Sequence, residues 1–365
     1  MHNRQSRIAY LDGHRGLAIL LVTLYHAYAR WPDLVPYKAQ FAEVPLFKYG
    51  WLGVELFFLI SGFVILMTLE KCSSPREFML RRWLRLFPAM LVCTLFVFAT
   101  AGFFSERPGG SPPWESMLPG LTFIEPDWWS WISGHPFPVL EGSFWSLYAE
   151  FKFYLFAAIV YFWRGRNALI VALALVFLAS TAVRIAQDIL GMDDFGFLYA
   201  LSTALSFRYF GWFAAGAAFY LYAQERSRTW LAISLLAVVV CALSESALEP
   251  ARLLAALTVA LLFAASVLFK PVQALLNNRL LQFFGLISYP FYLIHEGMMV
   301  AIIAKLGGAY GEIPLILLPL PALAIVAGFA WLICKYAEPA IKSLLTARLP
   351  NKAPVQNGEL SSTQV

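Results

Sequence analysis

Charge is scarce in this chain. Only 13% of its 365 residues are Asp, Glu, Lys or Arg, whereas 60% are hydrophobic, and the mean hydropathy is +0.67. A water-soluble domain of this size has no use for so much apolar surface, so the composition points to a polytopic membrane protein. Cysteine is sparse as well: Cys72, Cys93, Cys241 and Cys334 stand apart, with no CxxC and no Cys/His cluster. That spacing argues against a disulfide framework and against a structural metal. HExxH, a paired acidic metal motif and a P-loop are all missing, so metalloprotease and ATPase readings lose their chemistry. The formal net charge of +5 would hint at nucleic acid if the basic residues clustered, but nearly all fall between apolar runs. Membrane topology accounts for them better than a polynucleotide does.

What is present is a series of apolar segments near the twenty residues that a crossing requires. Ten can be placed, at roughly 10–29, 50–69, 84–103, 143–163, 168–186, 203–222, 230–246, 251–269, 283–303 and 315–337. The first follows a basic start but runs on to YHAYARWP without a small-residue cleavage site, and so reads as a retained helix rather than a removed signal peptide. Basic residues gather in alternate loops, among them Lys71, Arg76, Arg81, Arg164, Arg166, Arg226, Arg228, Lys270 and Arg279. The opposite loops hold only Arg30, Lys38, Lys48, Arg107, Arg252 and Lys305. That bias predicts an all-α bundle of about ten transmembrane helices with both termini in the cytoplasm. The membrane domain is expected over 8–340, followed by a cytoplasmic, disordered tail over 341–365. The longest outer loop, 104–142, carries Trp114, Trp128, Trp129 and Trp131, whose flat rings suit either the membrane interface or the apolar faces of sugars.

The stretch DGHRGLAILLVTLYH, Asp12 to His26, organises the candidate chemistry. Arg15 and His26 lie eleven positions apart, about 16 Å along a helix, which places the cation at a membrane edge and the imidazole nearer the middle. Such a pair would suit a long anionic cofactor held at one end and used at the other. It would equally suit an edge anchor and a histidine bonded to a neighbouring helix. In FMLRRWLRLFP, Arg82 and Arg85 share a helix face on the same side of the membrane as Arg15, and forked guanidinium groups from two helices match phosphates. Glu55, in GWLGVELFFLISGF, is a carboxylate at membrane depth that needs a partner or a proton, while Gly50, Gly53 and Gly62 read as packing residues. In SFWSLYAEFKFYL, Ser143 is placed to cap a helix, and Ser146 and Glu150 face the same way. Arg208 is a further cation within a segment, and SYPFYLIHE brings His295 and Glu296 into segment nine, with Pro290 expected to bend it. A histidine without a partner nucleophile suggests direct transfer to a hydroxyl by general base catalysis.

These pieces resemble the acyltransferase-3 family of integral membrane O-acyltransferases. The similarity is carried by LDGHRGLAILLVTLYH, GWLGVELFFLISGFVI, FMLRRWLRLFP, SFWSLYAEFKFYL, SYPFYLIHE and YAEP, and covers nearly all of 8–340. The resemblance implies a ten-helix domain of a bacterial inner membrane that takes an acyl group, foremost acetyl, from cytoplasmic acyl-CoA. The group passes to a hydroxyl of an extracytoplasmic or lipid-linked glycan, without a metal. On that pattern His26 is the general base, Arg15, Arg82 and Arg85 hold the CoA phosphates, and Asp12 orients the arginines. Glu150 orients His26 or the acceptor, and Arg208, His295 and Glu55 fall on the acceptor side. Two positions depart from the pattern: His14 stands where an apolar residue is usual, and Glu55 stands where aspartate is usual. A multi-pass transporter for an anionic or acylated solute would use the same interior charges and is the rival from another class.

Overall fold

Long apolar runs fold as helices in a bilayer because the backbone must satisfy its own N–H and C=O groups there. The computed structural model describes residues 8–188, 191, 193–246, 249–309 and 314–347, and among them the regular structure is helical throughout. The described helices of ten residues or more are α1 (Ala9–Tyr28), α2 (Gly53–Leu69), α3 (Pro75–Thr100), α4 (Trp145–Asp188) and α5 (Phe210–Glu225). They continue with α6 (Arg228–Ser246), α7 (Pro250–Leu268), α8 (Arg279–Ala309), α9 (Pro319–Leu332) and α10 (Glu338–Ala347). Seven helices among the described residues are long and apolar enough to cross a membrane, by length and composition. α1, which carries Asp12, His14, Arg15 and His26, and α5, with 16 residues, lie outside that set. The fold is an all-α, polytopic membrane bundle.

Each expected segment falls on a helix, with some redrawing. The two segments expected over 143–163 and 168–186 are two helices, the two halves of α4, which meet where Gly165 breaks the helical backbone with φ 82° and ψ −176°, so the expected division falls at that residue. α3 starts earlier than expected because Ser74 caps it, accepting from Glu77 N–H at 3.3 Å, with Pro75 in the first turn. Ser143 does not cap α4. A 3₁₀ turn over Gly142–Phe144 leads into that helix, and the Ser143 hydroxyl donates to the Tyr292 carbonyl at 3.3 Å instead. The chain beyond 340 is helical as far as Ala347, so α10 occupies the start of the expected tail; positions 348–365 lie outside the described residues.

α1 is the central helix. It packs along α8 and also against α2, and α2 packs in turn on α5. The α1–α8 seam is closed by glycines: a Cβ at Gly16 would collide with the Leu281 carbonyl, and one at Gly285 with the carbonyl of Asp12. Backbones this close are the usual way for helices to associate where the surroundings are as apolar as the side chains. Gly53 packs on the Ala18 carbonyl and Gly62 on that of Phe213, so the packing reading of these glycines holds. His14, the polar intruder in α1, is fully buried and finds Ser266 Oγ on α7 at 2.7 Å, which satisfies one ring nitrogen. Pro290 stands inside α8 and has no N–H to offer the Leu286 carbonyl. The thiol of Cys334, in a π turn over Ile333–Ala337, donates to that carbonyl at 3.6 Å, while Cys93 on α3 reaches the Pro290 carbonyl at 3.9 Å.

Candidate active site

A partly open cavity of about 100 Å³ lies between α2, α3, α4 and α8, to which α1 contributes Arg15. Arg82 and Arg85 join Arg15 in its lining, as do Ser61, Glu150, Tyr154, Ser146 and Tyr292. The sequence expectation that Arg15, Arg82 and Arg85 converge is therefore met in space. Asp12 bonds Arg15 at 2.7 Å, one turn away on the same helix. Arg82 donates to Thr68 Oγ1, and among the described residues neither Arg82 nor Arg85 has a carboxylate within ion-pair distance. Arg81 turns outward to Glu77 at 2.7 Å and takes no part. Glu150 accepts from Ser61 Oγ at 2.5 Å and from Tyr154 OH at 2.6 Å, so it belongs to the cavity wall.

His26 is in the last turn of α1 and is only 12% exposed. Its neighbours come from α8, where His295 and Glu296 follow one turn after Tyr292. His295 Nδ1 lies 2.8 Å from the Tyr292 carbonyl, and a carbonyl can only accept, so this nitrogen carries the hydrogen of the neutral ring. His295 Nε2 is then a lone pair, 3.2 Å from His26 Nδ1. His26 Nδ1 also lies 2.9 Å from the Val22 carbonyl, so both neighbours require it to be the donor. The remaining nitrogen, His26 Nε2, is the basic one, and it faces Glu296 Oε1 at 3.5 Å. Trp31 Nε1 donates to the same carboxylate oxygen at 3.2 Å. This arrangement can do one thing well: take up a proton at Nε2 and hold the resulting cation against a buried carboxylate.

The structure thus gathers His26 with His295, and Arg15 with Arg82, Arg85, Asp12 and Glu150, but as two connected groups. Tyr292 joins them, since its hydroxyl meets Ser146 Oγ at 2.8 Å in the cavity and its carbonyl holds His295. Asp12 sits with Arg15 at the far end of α1 from His26. Arg208 and Glu55 are elsewhere: neither lines the cavity, and Arg208 pairs with Glu245 of α6 at 3.5 Å, in whose company Glu55 is buried. Glu296, which the structure places beside His26, is the candidate that sequence reasoning left without a role. Its signal was present as the second letter of the HE pair, but adjacency alone does not say that both side chains of a helical dipeptide turn to one partner. Away from the cavity, Lys305 near the end of α8 holds the carboxyl of Glu106, in the loop after α3, at 2.8 Å and below the usual carboxylate range. Among the described residues no group of three His, Cys, Asp or Glu is arranged to hold a metal ion.

Comparison with known proteins decides the family. The model described as "Acyltransferase domain" matches residues 8–335. The chain belongs to this acyltransferase family. Among curated relatives it is 32% identical over 163 residues to the acyltransferase MdmB of Streptomyces mycarofaciens, covering 42% of this chain and 39% of that protein. It is 29% identical over 157 residues to the peptidoglycan O-acetyltransferase OatA of Listeria monocytogenes, covering 40% of this chain and 22% of that one. A putative O-acetyltransferase of Staphylococcus aureus, SACOL0978, is 26% identical over 171 residues, with 44% and 25% covered. The similarity thus spans well under half the length of these relatives. No solved structure matches the chain.

Proposed function

We propose that this acyltransferase moves an acyl group, in the first instance acetyl, from acyl-CoA at the cytoplasmic face of a bacterial inner membrane to a hydroxyl of an extracytoplasmic or lipid-linked glycan. The chain then crosses ten times, with α4 making two of the crossings and both termini in the cytoplasm. One arrangement carries the reading: the lone pair of His26 Nε2 faces Glu296, while the cavity linked to the histidines through Tyr292 is lined by Arg15, paired with Asp12, and by Arg82 and Arg85, which have no carboxylate within ion-pair distance among the described residues. Guanidinium groups converging on a partly open cavity suit a polyanionic donor, and CoA brings phosphates on a narrow arm. The relative that acts on peptidoglycan supports acetyl as the group and a glycan as the acceptor.

The proposed steps are these. Arg15, braced by Asp12, acts with Arg82 and Arg85 on the phosphates of the donor. The thioester lies toward Ser146 and Tyr292, and the acceptor hydroxyl approaches His26 Nε2. The oxygen attacks the thioester carbonyl as its proton passes to Nε2; an O–C bond forms, the C–S bond breaks, and the proton goes on to the CoA thiolate. Glu296 stabilises the transient imidazolium, and His295 holds the ring with Nε2 free. Glu150 keeps the cavity wall polar.

The test is acyl transfer by purified protein from labelled acetyl-CoA to a panel of lipid-linked and soluble glycans. Label on one glycan establishes both reaction and acceptor; folded protein that neither binds CoA nor releases its thiol overturns the proposal. Arg82→Ala and Arg85→Ala are expected to raise KM for acetyl-CoA by about 10- to 100-fold each, the equivalent of one or two charge-assisted hydrogen bonds, with a smaller change in kcat. Unchanged donor saturation in both would remove the arginines from the phosphate role.

A further inference from the structure

Two Glu-Gly dipeptides far apart in the chain, Glu141-Gly142 before α4 and Glu296-Gly297 within α8, lie against each other in reciprocal register. A Cβ at Gly142 would stand 3.0 and 3.1 Å from the two carboxylate oxygens of Glu296. A Cβ at Gly297 would stand 2.7 and 3.0 Å from those of Glu141, and 3.1 Å from Arg107 Nε. Each carboxylate therefore rests over the other dipeptide's glycine, in space that any larger residue would fill. The contact is bonded as well as close: Gly297 N–H donates to Glu141 Oε1 at 2.6 Å. Arg107, from the outer loop, closes the arrangement with an ion pair to Glu141 Oε2 at 2.5 Å and a hydrogen bond to the Leu140 carbonyl. Arg107 and Glu141 are buried, with side chains only 3% and 2% exposed.

Two carboxylates side by side repel, and in a low-dielectric interior each needs its own compensation. Arg107 and the Gly297 N–H supply it for Glu141. Glu296 is left turned the other way, toward Trp31 and His26. We infer that the interlocked Glu-Gly pairs, with Arg107, are a positioning device that aims the Glu296 carboxylate at His26, making Glu141, Gly142, Gly297 and Arg107 positioning residues for proton transfer. The inference rests on the reading of His26 as the base. It also gives the outer loop a function beyond covering the bundle, since the orientation of the base's partner depends on an arginine that the loop delivers.

The plain rival is that a buried ion pair merely fastens a loop to α8. A double-mutant cycle separates the two, because a device that acts through Glu296 has nothing to act on once that carboxylate is gone. Gly142→Ala is expected to lower kcat for acetyl transfer about 10-fold or more with KM for acetyl-CoA unchanged. In the Glu296→Gln background the same change is expected to cost no more than about 2-fold. If Gly142→Ala does not yield folded protein, the isosteric Glu141→Gln takes its place, with the same split and the same non-additivity expected. Equal losses in both backgrounds, or an unchanged kcat in the native background, would overturn the positioning role while leaving the transferase intact. Native protein that releases no thiol from acetyl-CoA with any glycan of the panel would instead overturn the reading of His26 on which the inference stands.

Discussion

His26→Ala is expected to lower kcat by about 10²- to 10⁴-fold, the range lost when a positioned general base is removed, with KM for acyl-CoA near the native value. The split follows from the layout. The proposed donor site at Arg15, Arg82 and Arg85 lies at the other end of α1, Arg15 about 16 Å along the helix from the imidazole, so removing the ring leaves those arginines in place. Glu296→Gln is expected to fall less far, by about 10- to 100-fold, because the base survives and only its charge-assisted partner is lost. The measurement is the initial rate of thiol release and glycan acetylation over a range of acetyl-CoA concentrations, on protein shown to be monodisperse and still to bind CoA. Native-like kcat in His26→Ala would move the proton to another acceptor and remove the main support for the mechanism.

The second large effect is expected at the α1–α8 seam. In Gly285→Leu the new Cβ falls on the Asp12 carbonyl, and that obstacle is backbone, which cannot swing aside. The helices must part by about 1 Å, with a stability cost of about 1–3 kcal/mol or more for overpacking. His26 is carried on one of these helices and His295 and Glu296 on the other, so the same displacement widens the gap across which the proton is managed. A misplacement of about 1 Å costs on the order of 10²-fold in rate. Thermal unfolding and kcat are therefore expected to fall together. Gly328→Leu on α9 is the control, because nothing lies within 4 Å of a Cβ there, and it is expected to change neither. A Gly285→Leu protein with native kcat would show that the seam does not set the distance between the base and its partners.

Much of this architecture could be read from the letters, because in a bilayer hydropathy and helix are nearly the same signal. The apolar runs located the helices, and the glycines of GWLGVELFFLISGF announced the close approaches they make. The arginines were legible as a group because Arg82 and Arg85 share a face and Arg15 lies at the same depth. The contacts that depend on three-dimensional register were not legible. Whether His26 met Glu150 or Glu296 depended on how far α8 slides along α1, which the Gly16 and Gly285 contacts set and no local pattern reveals. Glu55 and Arg208 lie apart from His295 for the same reason: Glu55 is buried on α2, Arg208 is part-exposed in the turn Phe207–Tyr209 that leads into α5, and both face Glu245 of α6. Arg107 looked like a minor loop cation, since a charge count distinguishes sides of a membrane and says nothing of whether a loop folds inward.

The two flanks of α8 differ in mechanical character. Against α1 it is clamped backbone to backbone, through glycines that leave no slack. Beside Pro290 it is held by side-chain donors instead: the thiol of Cys93 meets the Pro290 carbonyl, that of Cys334 the Leu286 carbonyl, and Tyr289 OH donates to the Leu86 carbonyl at 3.0 Å. One helix thus joins its partner in backbone contact on one flank and through side-chain groups on the flank that carries the cavity wall at Ser288 and Tyr289.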